Sequence, residues 1–318
     1  MRTVDISQLM IDAGIDFKGH IQLDGNMSSL EPNPKDDWLY LCLLSFKKIS
    51  VENQLIRSIA LIGSGNGIDA IAALKLFPNL NKLYVTDVLP EVLPHIQRNI
   101  EDNFPEEARK VEIVYLIGRD AEPIPEEVDF IYANLPLITV DLEELQTEFS
   151  TTTLTDARRY AHLSYGVSDN LKKYSLLSQL GFLLSAKDKL SPTGFLVTLI
   201  GGRIPTSVID ECFARAGFKD QRTCIAFMSQ SDPQFLKQYA IHEKVHGISF
   251  SFYDYGKAAT LLKLATGVSV PDVLNGCEEM EVRNILKDAE ITAVQAYDFY
   301  NKGKDVGHLA YVFEARIL

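Results

Sequence analysis

Three glycines, Gly63, Gly65 and Gly67, interleaved with Ser64 and Asn66, form the cluster with the clearest chemical purpose in this 318-residue chain. Glycine lets a backbone turn into left-handed conformations and lets a ligand approach main-chain N–H groups with no Cβ in the way. An apolar run, Ile59 to Ile62, precedes the cluster. A helical pattern follows it, with Ile68, Ile71, Ala72 and Leu76 on one side, and a second apolar run, Leu83 to Val85, ends at Asp87. Strand, glycine turn, helix, strand, acid is a half-Rossmann plan, and Asp87, 20 residues beyond Gly67, falls where a carboxylate can take both hydroxyls of a ribose. The implied chemistry is the holding of a ribose-bearing cofactor, with Gly63, Ser64, Gly65 and Gly67 as cradle and Asp87, with Val88 after it, at the ribose.

The spacing of the glycines narrows the cofactor. A dinucleotide fingerprint, G-x-G-x-x-G, needs a small residue at position 68, where the helix packs on the strand, and Ile68 stands there. The G-x-G-x-G spacing with the distal Asp87 resembles class I S-adenosylmethionine-dependent methyltransferases. One departure is plain: the acid that family carries two residues before the first glycine is Leu61 here.

A second candidate site is Asn134-Leu135-Pro136-Leu137, directly after the apolar run Val128 to Ala133. Its place after the fourth strand resembles the Asn/Asp-Pro-Pro-Tyr/Phe motif of amino-group methyltransferases. Residues 59 to 218 most resemble the protein-glutamine methyltransferases that modify release factors. The Asn-Leu-Pro variant is also similar to ribosomal RNA adenine dimethyltransferases. The resemblance implies that the Asn134 side-chain oxygen and the Leu135 carbonyl accept hydrogen bonds from an acceptor N–H₂, while Pro136 fixes the turn. It also implies that Asp120, after the third strand, binds the adenine amino group with the Ala121 N–H beside it. The family aromatic that covers a planar amide or base is Leu137, so stacking is lost and the acceptor widens to other amines or an oxygen nucleophile. Without the resemblance, Asn134 reads as a turn cap and Asp120 as a helix N-cap. In the polar stretch 139 to 165, which includes Thr151, Thr152, Thr153 and Thr155, Tyr160, His162 and Tyr165 are candidates to line the acceptor pocket.

His242-Glu243-Lys244-Val245-His246 matches H-E-x-x-H, whose zinc chemistry needs both histidines on one helical face and a third ligand downstream. Gly247 and a β-like run follow at once, so the helix would end on its second ligand, and no metal site is assigned.

The elements that must position these residues alternate. Strands are expected at 59–62, 83–85, 111–117, 128–133 and 195–200, with further strands at 222–228, 248–253 and 309–317. Crossovers between the first strands imply a parallel sheet, and such sheets bind ligands beyond their carboxyl ends. Gly63, Asp87, Asp120 and Asn134 all follow strands and should meet on one edge. Helices are expected at 6–13, 34–48, 90–103, 171–190 with an interruption near Gly181, 205–216 and 233–243, and the 256–304 stretch is expected to be mostly helical. Trp38 belongs to a helix packed beside the first strand, or to a lid over the cofactor. The fold expected is α/β, a Rossmann-like, mostly parallel seven-stranded methyltransferase sheet. It divides into a helical N-terminal region (1–49), the cofactor domain (50–255) and a C-terminal extension packed on it (256–318).

Composition sets the outer bounds. At 46% hydrophobic residues the chain can bury roughly three quarters of the surface its unfolded form exposes. A net charge of −12 and a pI near 5.0 argue against nonspecific phosphate binding, and so against a nucleic-acid partner. Cys42, Cys212, Cys224 and Cys277 are scattered, with no C-x-x-C pair, as in a reducing compartment. No signal-like or membrane-spanning run occurs, so a soluble cytoplasmic protein is expected. The expected function is an S-adenosylmethionine-dependent methyltransferase acting on an amine or amide of a small metabolite or protein. The alternatives are a noncatalytic S-adenosylmethionine-binding protein and an RNA adenine methyltransferase.

Overall fold

In the computed structural model, which describes residues 1–24, 30–105, 110–140 and 154–318, the glycine turn leaves an interior strand of a large sheet. The chain opens with β1 (Arg2–Asp5), α1 (Ser7–Asp12) and β2 (His20–Leu23), β1 and β2 pairing antiparallel, before α2 (Trp38–Glu52). The cofactor-type unit follows as β3 (Ser58–Ile62), α3 (Ile68–Leu76), β4 (Lys82–Asp87), α4 (Leu93–Asn103), β5 (Glu112–Ile117) and β6 (Val128–Ala133). Next come the short parallel pair β7 (Ile138–Val140) and β8 (Leu154–Asp156), then α5 (Asp169–Lys173), α6 (Leu177–Lys187), β9 (Leu190–Gly201), α7 (Thr206–Ala216) and β10 (Phe218–Ser229). The chain closes with α8 (Pro233–His246), β11 (Phe252–Asp254), α9 (Tyr255–Thr266), β12 (Asp272–Val273), α10 (Glu279–Leu286), β13 (Glu290–Ile291), α11 (Ala293–Asn301) and β14 (Val306–Ile317).

The strand order is β12-β10-β14-β9-β6-β3-β4-β5, with β11 and β13 attached beside β14. β5, β4, β3, β6 and β9 are mutually parallel, β14 runs against β9, and β10 runs against β14, so among the long strands only β14 is reversed. The fold is therefore a Rossmann-like α/β sheet. Both faces are covered, which is why its strands read as unbroken apolar runs. Ile62, Tyr84, Ile131, Leu196 and Tyr311 face a core with α6, α7 and α8, while Leu61, Leu83, Phe130, Val197 and Val312 face a core with α2, α3 and α4. Leu61, the residue where the resemblance calls for an acid, is wholly buried in this second core.

Four expectations are corrected. The N-terminal region is not purely helical, since β1 and β2 pair there. The segment 171–190 is interrupted at Tyr174–Leu176 and not at Gly181. Ser175 takes φ 58° at the break, while Gly181 sits inside α6 because a Cβ there would lie 2.6 Å from a Tyr160 ring carbon. The run 248–253 forms a strand only at Phe252–Asp254. The last strand does not pack on the sheet from outside: β14 is inserted between β9 and β10. Thr151, Thr152 and Thr153 lie outside the described residues.

Candidate functional site

The loop between β3 and α3 is shaped by its glycines. Gly63, Gly65 and Gly67 have φ of 70°, 58° and 82°, in the left-handed region that L side chains avoid. The Gly63 and Ser64 N–H groups both donate to the Thr86 carbonyl at 3.0 Å, which seats the loop against the end of β4. Gly67 serves as the N-cap of α3, and a Cβ on it would approach Ile96 Cγ2 of α4 to 3.1 Å. Gly14 shares the conformation, with φ 74°, but has open space around it. Gly67→Ala should therefore cost about 2 kcal/mol, against about 1 kcal/mol for Gly14→Ala, the difference being the crowding against α4. Urea denaturation of the two variants checks this, and equal costs would show that the loop and α4 do not press on each other.

Asp87 closes the loop from the other side. Its carboxylate accepts the Gly65 N–H at 3.1 Å and the Leu89 N–H at 3.0 Å, and it is 7% exposed. Burial pushes its carboxyl up, opposed by the hydrogen bonds from Leu89, Gly65 and Val88. Val88 itself presents a partly exposed side chain. A second carboxylate that sequence reasoning missed lies beneath the same loop. Asp69, buried in the first turn of α3, accepts the Ser64 hydroxyl and the Ala70 N–H, the latter at 2.7 Å. Burial raises its carboxyl to about 7, with the Asp87 charge adding to the rise. The available signal was an acid on an otherwise apolar helix, IDAIAALKL. Asn99 ties the loop to the N-terminal region, its amide donating at 3.0 Å to both the Asn66 and Gln22 carbonyls.

Asp120 follows β5 in a left-handed turn, φ 52°, and is 6% exposed. Both its oxygens accept the Tyr160 hydroxyl, at 3.0 and 3.1 Å, and burial raises its carboxyl to about 6 despite that bond. The Ala121 N–H donates to Ser185 Oγ at 3.0 Å and so is already engaged. Tyr160 is thus brought to the site, as a partner of Asp120. His162 is exposed and Tyr165 is 94% exposed, so the structure does not gather these two around a pocket.

Asn134 emerges from β6 alongside Leu199 of β9, at the same edge as Gly63 and Asp87. Its side chain is exposed and, among the described residues, makes no hydrogen bond. Leu135 reaches to 3.4 Å from where a Gly63 Cβ would stand, so the second motif lies directly against the first. The Pro136 carbonyl accepts a long 3.5 Å bond from Ser178, and Leu137 is buried in the core instead of covering the site.

The H-E-x-x-H residues have structural work. His242 Nε2 lies 3.0 Å from Ser175 Oγ, its ring is 4.3 Å from that of His246, and burial lowers its proton affinity to about 4. Glu243 accepts the Phe250 and Val294 N–H groups, each at 3.0 Å, which joins α8 to α11. Gly247, with φ 61°, ends the helix one residue after His246. No group of metal-ligating side chains is present among the described residues, and none of their helices is long and apolar enough to cross a membrane.

No family model and no curated protein matches the chain. Among solved structures it is similar to a candidate RNA methyltransferase from Pyrococcus horikoshii, with 12% identity over 98% of each chain and a TM-score of 0.43. It is also similar to a ribosomal protein L11 methylase from Lactobacillus delbrueckii subsp. bulgaricus, with 15% identity over 67% of this chain and 79% of that one and a TM-score of 0.38. A cyclopropane synthase from Mycobacterium tuberculosis aligns at 13% identity over 86% and 84%, with a TM-score of 0.38. Likenesses this distant do not speak to an acceptor, which has to be argued from the site.

Proposed function

We propose that this chain is an S-adenosylmethionine-dependent methyltransferase acting on an amine or amide of a small metabolite or protein. The observation that carries the reading is the single edge on which three left-handed glycines, the Asp87 carboxylate and the unpartnered Asn134 side chain lie together. The residues fit the cofactor. The glycines keep side chains of their own off the loop, whose Gly63, Ser64, Gly65 and Gly67 N–H groups are already paired within the protein, and Asp87, which keeps acceptor capacity beyond its bonds from Gly65 and Leu89, supplies ribose acceptors. Asp120 keeps acceptor capacity beyond its one tyrosine bond, whereas adenine would need a donor other than the Ala121 N–H.

When bound, the cofactor supplies an electrophilic methyl group, so the protein's task is to hold a nitrogen in line with its lone pair free. Asn134 Oδ1 and the Leu135 carbonyl accept the acceptor's N–H groups. They orient the lone pair and ease the charge that develops on nitrogen. Pro136 holds the turn that presents both.

Calorimetry with S-adenosylmethionine and S-adenosylhomocysteine tests the reading. The native chain should bind at micromolar concentration, and Asp87→Ala should weaken both ligands tenfold or more, as expected for losing charged hydrogen bonds worth roughly 1.5–3 kcal/mol. No binding by the folded native protein would end the proposal. Binding unaccompanied by methyl transfer to any metabolite or protein pool would favour the noncatalytic alternative.

A further inference from the structure

At the same edge, directly after β9 and its Gly201-Gly202 pair, Arg203 is 2% exposed, yet among the described residues no carboxylate pairs with it. An arginine keeps its charge at any ordinary pH, and burying a charge without a counter-charge is costly. The guanidinium is held by three rings, with its carbon 5.1 Å from the Phe235 centroid, 5.3 Å from Tyr239 and 5.4 Å from Phe252. Its one good hydrogen bond runs from Nη2 to Gln230 Oε1. Nε is buried with no partner, and so is the adjacent Tyr239 hydroxyl, which lies beside the guanidinium without forming a bond of good geometry. His308, also close by, is held neutral by burial and by the Arg203 charge, so it adds no second cation, and an imidazole offers no counter-charge in either state.

Two neighbouring buried donors lack an acceptor, and one permanent cation lacks an anion. Because Gln230 Oε1 already accepts from Arg203, the amide NH₂ of Gln230 adds a further donor to the cluster. We propose that Arg203, Tyr239 and Gln230 form an anion subsite whose occupant is a carboxylate, carried by the methyl acceptor. The second half of this assignment rests on the methyltransferase reading. A carboxylate suits the site better than a phosphate, because a planar guanidinium fork matches it and one cation among aromatic walls balances a single negative charge. β6 and β9 are neighbours in the sheet, so this subsite and Asn134 flank one edge, where an acceptor anchored at Arg203 can present its nucleophile near Asn134.

The test is thermal unfolding of the full chain in sodium acetate, sodium phosphate and sodium chloride at matched ionic strength. Acetate should raise the native midpoint over chloride by roughly 2 °C once it exceeds its dissociation constant about tenfold. Arg203→Met should abolish the shift. Tyr239→Phe, which removes only an unpartnered hydroxyl and should fold normally, should reduce it by about half. An acetate shift absent from the native protein, or undiminished in Tyr239→Phe, would overturn the subsite, and stabilisation by phosphate alone would overturn the carboxylate. S-adenosylmethionine calorimetry on the same sample separates the two ideas. Cofactor binding without an acetate shift removes the subsite only, and an acetate shift without cofactor binding removes the transferase reading only.

Discussion

Glu279→Ala should be strongly destabilising, costing about 3 kcal/mol and lowering the melting midpoint by roughly 4–5 °C for a chain of this length. Glu279, at the start of α10, is 7% exposed. It takes Thr206, Arg222 and Arg283 directly, and the Tyr311 hydroxyl at 2.9 Å. One carboxylate therefore joins α7, β10, α10 and β14. Removing it strands two guanidinium groups in a place built to neutralise them. The figure sits at the low end for a broken buried pair because the Arg222 and Arg283 side chains keep 19% and 21% of their surface in water. The pH dependence gives an independent check. Burial alone would raise the Glu279 carboxyl, but the bonds from Thr206 and Arg283, with the Arg222 charge, outweigh it and hold the carboxyl below the ordinary glutamate range. A lowered folded value adds stability that is fully present above the unfolded value and is lost as pH falls through the folded one. The stability gap between the native protein and Glu279→Gln, measured by urea denaturation, should accordingly be constant near neutrality and begin to shrink as pH falls below the ordinary glutamate range. A gap that does not shrink at all on acidification to the point of acid unfolding would assign the role of Glu279 to shape and not to charge.

β14 shows what the sequence made legible and what it hid. Its existence follows from the run LAYVF, but its interior place was not expected, although five consecutive apolar residues suit a strand buried on both faces. The structure divides them between the two cores, Leu309, Tyr311 and Phe313 on one face and Ala310 and Val312 on the other. What no local pattern encodes is the order of strands. A final strand inserted between β9 and β10 is a non-local choice, fixed by pairings such as Phe313 with Thr198 and Tyr311 with Ile225.

The candidate site divides in the same way. The glycine loop and the ends of β4 and β6 are local, carried by residues whose types dictate turns and strand ends, and the edge they share follows from parallel topology. Tyr160 meeting Asp120 is a contact across 40 residues, and the buried Asp69 depends on α3 packing close beneath its own loop. Arg203 is the opposite case. As a lone arginine after two glycines it has no motif to mark it, and only its burial among Phe235, Tyr239 and Phe252 reveals that its charge lacks an answer. Gly181 illustrates the hazard of local rules. A glycine in a helical pattern reads as a break, yet here it makes room for the Tyr160 ring, and the break falls at Ser175.

Asn134→Ala should leave the fold and the cofactor alone and remove turnover. Its side chain is exposed and unpartnered among the described residues, so its loss exposes no buried group and should change unfolding free energy by no more than about 0.5 kcal/mol. Asp87 and the glycine loop, which hold the proposed cofactor, do not lean on the Asn134 side chain, so S-adenosylmethionine affinity should stay within about twofold. Methyl transfer is different, because an acceptor oxygen aimed at a developing positive charge acts mainly in the transition state, where losing such a group typically costs about 10²–10³ in rate. The measurement is incorporation of a labelled methyl group from S-adenosylmethionine into fractionated metabolite and protein pools, alongside calorimetry on the same preparation. Asn134→Asp sharpens it. A carboxylate keeps two acceptor oxygens and adds charge, so it should retain more turnover than alanine if hydrogen-bond acceptance is what Asn134 contributes. If alanine and aspartate are equally inactive, the amide NH₂ is the working group, and the acceptor atom becomes an oxygen that receives a hydrogen bond in place of a nitrogen that gives one. If alanine abolishes cofactor binding, Asn134 belongs to the cofactor cradle, and the acceptor must be sought farther along the edge, beside Arg203.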